Sequence, residues 1–187
     1  MIQTTTKTNQ WFNENNSIEK LFINEVPKHR IYVDIFGNGG SVLMQKNPSK
    51  LEVFNDTKNK ILELYQNTFK KGENVSNLYG VYKSKDIIER MKYVMIECVE
   101  FERLINIYDS KDTLFYVDLK NVHLSNLEQK SLAKLLHDIQ GKAMIVIDEP
   151  TIKDIYYPDW SQLNGKLSDS LLLNFENLQM SLFTLSC

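Results

Sequence analysis

Short apolar runs alternate along this chain with amphipathic stretches, and the order of the two kinds sets the fold class. Ile31–Ile35, Leu51–Phe54, Tyr93–Ile96, Thr113–Val117 and Ala143–Ile147 are rich in β-branched and aromatic residues, the pattern of strands buried on both faces. Between them apolar positions recur at helical spacing. Ile18, Leu21 and Phe22 share a face in a segment opened by Ser17. Ile61, Leu64, Tyr65 and Thr68 do so between Lys58 and Lys71, with Gly72 as a cap. Phe101, Leu104, Ile105 and Tyr108 face inward from a helix beginning near Val99. Leu132, Leu135, Leu136 and Ile139 line a helix from Leu127 to Ile139, capped by Gly141. Ser41–Lys46 and Thr151–Tyr156 are short helices, and Leu171–Phe175 with Leu182–Leu185 read as a closing hairpin. Strands that alternate with helices predict an α/β domain. Its central sheet is mostly parallel, with helices on both faces and an antiparallel edge at the C-terminal end.

One stretch carries more than fold. From Ile31 to Asp56 the chain gives a strand, a glycine cluster (Gly37, Gly39, Gly40), a short helix, a second strand and the acid Asp56. That order is the grammar of a nucleotide-binding α/β unit. Glycines let the backbone approach a ligand where a Cβ would collide. A carboxylate at the end of the second strand is placed to bond ribose hydroxyls. A tight strand-to-helix turn favours glycine without any ligand, so the pattern needs support from elsewhere in the chain.

Composition narrows the alternatives. A chain of 187 residues fits a single domain spanning 1–187. No stretch approaches the ~20 apolar residues of a membrane span, and no basic-plus-apolar leader opens the chain. With Cys98 and Cys187 as the only cysteines, a secreted disulfide scaffold is not indicated. The expectation is a cytoplasmic protein without a membrane partner. A formal charge of −2 gives no global basic signal for nucleic acid, so any DNA contact needs a local patch. Residues 58–92 supply one, with seven lysines and one arginine against four acids. Lys58, Lys70, Lys71, Lys83 and Lys85 are its candidates for neutralising phosphates, although a solvated helical face gives the same pattern. His29, His123 and His137 lack metal-ligand spacing and no CxxC or HExxH occurs, so no metal is expected. His123 and His137 read as surface residues, and Cys98 as a small buried apolar one. Asp148-Glu149-Pro150 reads as the start of a loop.

Taken together, ordered blocks of the chain resemble the Dam-type adenine-specific DNA methyltransferases over about Ser17–Glu176. The family's YVEPFGGGGAV is matched by Tyr32-Val-Asp-Ile-Phe-Gly-Asn-Gly-Gly-Ser-Val42, and its PSKIEVYND by Pro48-Ser-Lys-Leu-Glu-Val-Phe-Asn-Asp56. Its DTLFYLDPPY is matched by Asp112-Thr-Leu-Phe-Tyr-Val-Asp-Leu-Lys-Asn121, and LLLNFE at Leu171–Glu176 looks like its last strand. The resemblance implies a Rossmann-like methyltransferase fold and S-adenosylmethionine as cofactor. By position, Asp34, Phe36, Gly37, Gly39, Gly40, Asp56 and Glu100 would meet that cofactor. It also implies a flipped adenine in DNA as target, and a phage or mobile element as a natural setting. In the family an acid or amide and a proline carbonyl of DPPY accept the hydrogens of the target amine, while the tyrosine stacks on the extruded base.

This sequence departs from the family where the chemistry is carried. Asp118 keeps the acceptor, but Leu119 and Lys120 replace both prolines and Asn121 replaces the tyrosine. Lys120 brings a cation to the side of a reaction centre that already bears a sulfonium. The family's N-terminal PGGK has no counterpart, the corresponding region being Asn13–Asn16. Asn38 stands where the first glycine of FxGxG belongs, and Glu100 replaces an aspartate. The interval between Asp56 and Asp118 is too short for the full target-recognition insertion of larger members, so 58–92 reads as its remnant. These losses suggest a catalytically degenerate methyltransferase-like protein, with its cofactor site damaged, kept as a binding or regulatory module for DNA or a protein partner. The rival reading is an active adenine methyltransferase using Asp118, alone or with a partner subunit.

Overall fold

A computed structural model describes residues 18–37, 40–57, 89–120, 122–165 and 169–176. Seven strands occur among them: β1 (Ile31–Asp34), β2 (Leu51–Asn55), β3 (Met95–Glu97), β4 (Thr113–Asp118), β5 (Lys142–Ile147), β6 (Ser161–Asn164) and β7 (Ser170–Leu173). They form one sheet in the order β3-β2-β1-β4-β5-β7-β6. The first five are mutually parallel. β7 runs antiparallel between β5 and β6. The described helices are α1 (Ile18–Glu25), α2 (Ser41–Gln45), α3 (Phe101–Tyr108), α4 (Asn126–Asp138) and α5 (Pro150–Tyr156).

Alternation along each strand divides the core in two. Tyr32, Phe54, Leu114, Tyr116, Met144, Val146, Leu171 and Leu173 pack on one face with Phe22 of α1 and with Val42 and Leu43 of α2. Val33, Val53, Phe115, Val117, Ile145, Ile147 and Leu172 pack on the other, against Phe101, Leu104 and Ile105 of α3 and Leu132 and Leu136 of α4. Both faces are covered, which is why the central strands read as continuous apolar runs. α4 starts at Asn126 because Ser125 and Glu128 form a reciprocal capping box.

Under the α1/α2 face lies a buried ionic cluster that the apolar pattern does not announce. Glu52 of β2 is 2% exposed and binds Lys46 Nζ through Oε1 at 2.5 Å. Its other oxygen accepts from the Arg90 guanidinium, and Ser49 N donates to Oε1 at 3.0 Å. Lys46 Nζ also donates to Asn47 O and to Ser49 Oγ, both at 2.8 Å, and lies 4.4 Å from the centre of the Tyr32 ring. Burial alone would push the Glu52 carboxyl up, but the bonds from Arg90, Lys46 and Ser49 hold it below the usual range.

Four sequence expectations change. The hairpin partner of Leu171–Leu173 is β6, a polar SQLN segment, because β7 is wedged between β5 and β6; Leu182–Leu185 lies outside the described residues. The third strand is Met95–Glu97, and Tyr93 precedes it with 81% exposure. Cys98 is exposed, since β3 is the border strand and ends one residue earlier. Gly141 is not a left-handed cap. A Cβ there would lie 2.8 Å from Thr113 O and 2.9 Å from Ser110 O, so its glycine answers close packing against the start of β4. The expected helix 58–71 with Gly72, and the Lys-rich patch of Lys58, Lys70, Lys71, Lys83 and Lys85, lie outside the described residues.

Candidate cofactor and catalytic site at the carboxyl edge of the sheet

In a parallel sheet the loops that follow the strands all emerge at one edge, and ligands settle where the strand order reverses direction. Here that switch point lies between β1 and β4, which are adjacent in register, Asp34 opposite Tyr116. The edge carries an acid at the end of, or just after, three adjacent strands. Asp34 ends β1, Asp56 follows β2, and Asp118 ends β4.

Asp34 is 1% exposed, and its Oδ1 accepts from Gly37 N at 2.9 Å. Burial raises its pKa to about 7; the Gly37 and Phe36 amides oppose that rise and the charge of Asp118 adds to it. Gly37 holds φ +55, a left-handed conformation that favours glycine. A Cβ on Gly37 would lie 2.5 Å from Asn55 O and 2.8 Å from the Phe54 ring. The space that glycine preserves is therefore taken up by β2 of the same chain. Gly40, buried at φ +64, caps the start of α2. Phe36 is half-buried and meets Phe101 edge-on with centroids 6.1 Å apart. Gly39 and Asn121 lie outside the described residues.

Asp56 is 5% exposed, and its amide donates to Glu97 O at 2.8 Å, tying the end of β2 to β3. Its neighbour Asn55 organises the edge, a role that sequence reading missed. Asn55 Nδ2 donates to Ile35 O and to Val99 O, each at 2.9 Å, and Oδ1 accepts from Val99 N at 3.0 Å. One amide thus clamps the loops after β1 and β3. The available signal was an amide ending an otherwise apolar strand. Asn55→Ala is expected to cost about 2 kcal/mol by stranding these backbone groups, read as a lower midpoint in urea denaturation. Glu100 is exposed and sits at the N-cap position of α3, without a side-chain capping bond.

The turn after β4 departs from a proline-proline turn in a definite way. Leu119 N donates to Val146 O at 3.0 Å, and Lys120 N donates to Asp118 Oδ1 at 3.1 Å. Neither bond could form from a proline, which lacks the N–H. The Lys120 side chain is drawn to the hairpin between β6 and β7, where Nζ donates to Asp169 Oδ2 at 3.0 Å. Asp169 carried no sequence signal. Further along the edge, Asp148 and Glu149 form an exposed turn and Pro150 starts α5.

The donor set can be tested against S-adenosylmethionine, which carries a sulfonium and an ammonium. Acids end or follow three adjacent strands, and one of them is raised to about 7 by burial and by its neighbour's charge. A cation would relieve that strain, so the residues suit such a ligand. Among the described residues no group of His, Cys, Asp and Glu is arranged to hold a metal, and no described helix is long and apolar enough to cross a membrane.

Comparison with solved structures agrees with this architecture. A conserved hypothetical protein from Streptococcus pyogenes superposes with a TM-score of 0.50 at 12% identity, covering 82% of this chain and 91% of that one. The chain has a Rossmann-like α/β fold, a mostly parallel seven-stranded sheet with helices on both faces and an antiparallel edge. An rRNA methylase from Streptococcus thermophilus gives 0.49 at 13% identity, over 83% of this chain and 92% of that one. A Streptococcus mutans protein described as a candidate methyltransferase, in complex with SAH, gives 0.44 at 13%, over 83% and 93%. No protein-family model matches the sequence, and no curated protein matches it significantly.

Proposed function

We propose that this chain binds S-adenosylmethionine at the carboxyl edge of its sheet and has lost efficient methyl transfer to DNA adenine. It is kept as a binding or regulatory module, with DNA or a protein as partner. The turn after β4 carries the reading. Asp118 is the side chain that would accept a hydrogen from the target amine, and its Oδ1 already accepts from the amide of Lys120. Lys120 in turn donates its ammonium to Asp169. A turn that folds back on its own acid, with no proline to fix its carbonyl, is poorly arranged to localise an amine lone pair.

The binding half of the proposal rests on the acids. When bound, S-adenosylmethionine supplies an electrophilic methyl on a sulfonium. Asp56 would hold the ribose hydroxyls and Asp34 would meet the ligand's positive end. Phe36 would cover an apolar side, and Glu100 would reach the adenine.

Two measurements test this. Calorimetric titration with S-adenosylmethionine is expected to show saturable binding that Asp56→Ala abolishes. Transfer of labelled methyl to unmethylated DNA is expected to run at least ~100-fold below a DPPY enzyme assayed alongside, the scale of losing one positioned polar group. Transfer at the DPPY enzyme's rate, lost in Asp118→Ala, would establish the active enzyme instead. Absence of binding at millimolar cofactor would reject the binding half.

A further inference from the structure

We infer that Asp169 sets the charge of this site: by holding Lys120, it lets the edge accept a cationic ligand and so governs the choice between S-adenosylmethionine and S-adenosylhomocysteine. The inference rests on the cofactor reading above. The two ligands share their ammonium, carboxylate, ribose and adenine, and differ in that one sulfur is a sulfonium and the other neutral. A residue that controls local charge must separate them. One that only supports the fold must not.

Lys120 stands two residues after Asp118 and is bonded to it through the backbone. Its backbone is therefore fixed in the turn that carries Asp118, and its positive charge, carried from that turn, opposes a sulfonium unless it is balanced. The Asp169 carboxylate meets it at 3.0 Å from a hairpin 49 positions further along the chain. The side chains are 19% and 25% exposed, so the pair is partly withdrawn from water and is screened less than a surface pair. The described backbone of the hairpin is also bonded without this side chain. Gly165 N donates to the Asp169 backbone carbonyl at 2.8 Å, and β7 pairs with β5 and β6 through its backbone. Asp169→Asn therefore removes a charge and leaves the hairpin's own bonds in place. Asp169 is a positioning residue, acting through Lys120.

The test is isothermal titration of the intact protein with each ligand, in the unaltered chain and in four variants. Asp169→Asn is expected to weaken S-adenosylmethionine on the order of tenfold relative to S-adenosylhomocysteine, the scale of removing one countercharge from a partly buried site. Lys120→Met is expected to move the ratio the opposite way. The double variant Lys120→Met/Asp169→Asn should return it to the starting value, and Asp169→Glu should preserve it. Lys120→Met reads the same charge balance if Asp169→Asn does not fold. Equal weakening of both ligands, or an unchanged ratio in both single variants, overturns the inference while leaving the cofactor reading intact. An unaltered chain that binds neither ligand overturns both.

Discussion

Glu52→Ala is expected to destabilise the protein by about 3–5 kcal/mol, the usual result of removing one partner from a buried ion cluster. The variant leaves Lys46, whose side chain is 2% exposed, without its carboxylate beneath the α1/α2 face. It also removes the carboxylate from the Arg90 guanidinium, which keeps only its bond to Leu43 O at 3.2 Å among those described, and it takes the acceptor from the Ser49 amide. For a chain of this length a loss of that size corresponds to a fall in melting temperature of roughly 10 °C, which differential scanning calorimetry would resolve. The pH dependence has a definite sign. The Glu52 carboxyl is held below its usual range in the folded state, so its contribution is present above that range and is lost as pH falls. The gap between variant and unaltered protein should therefore narrow in acid. Replacing Lys46, Glu52 and Arg90 together by apolar residues should recover most of the loss, because no unpaired charge then remains buried. A Glu52→Ala variant that melts with the unaltered protein would show that the cluster contributes nothing net.

Asp34→Asn acts in the opposite direction. The folded protein holds a proton on Asp34 up to about pH 7, whereas the unfolded chain releases it near the ordinary carboxylate value of 3.8. Between those values the folded state binds more protons, so this group lowers stability as pH rises, and the loss is complete above about 7. A shift of that size corresponds to about 4 kcal/mol at pH 8. The amide is nearly isosteric and its oxygen can still accept from Gly37 N. Thermal melts at pH 4 should nearly coincide, and at pH 8 the variant should melt higher. The same substitution should weaken S-adenosylmethionine, because a cationic ligand draws its affinity from the ionised acid. Higher stability with weaker binding is the signature of a side chain kept for its ligand. A variant that is less stable at pH 8 would refute the assignment of strain to Asp34.

How much of this was legible in the sequence depended on whether a pattern is local. The four central parallel strands β1, β2, β4 and β5 were readable because burial on both faces turns each into an apolar run, as in Ala143–Ile147, whereas the border strand β3 was placed only approximately because its residues are largely exposed. α3 and α4 were readable from their spacing, and Ser125 with Glu128 marks where α4 begins. The positions of Asp56 and Asp118 at strand ends followed from the same runs, whereas Asp34 was read as lying inside a strand Ile31–Ile35 and the structure makes it the last residue of β1. β6 was not readable, since SQLN has neither a run nor an apolar alternation and becomes a strand by pairing with β7. Gly37 was rightly singled out for a reason that geometry revises, because the Cβ it lacks would strike Asn55 and Phe54. Glu52 could have been found. It shares a face with Phe54 in a strand where Val53, Phe54 and Asn55 are also buried, which already demands a buried partner. Asp169 could not, because its pairing with Lys120 joins two loops whose separation in sequence encodes nothing about their proximity.

The place of β7 bears on how the chain is made. β5 contributes six residues, and five of them are buried in the finished sheet. Its outer border is closed by β7, which is the last described strand to be synthesised and must enter between β5 and β6. Until residue 173 has left the ribosome, a nascent chain can assemble β1 to β5 but leaves one hydrophobic border unpaired. That border is the kind of edge at which two chains add to one another. Synthesis thus passes through an interval in which the outer border of β5 is unpaired, and β7 ends that interval.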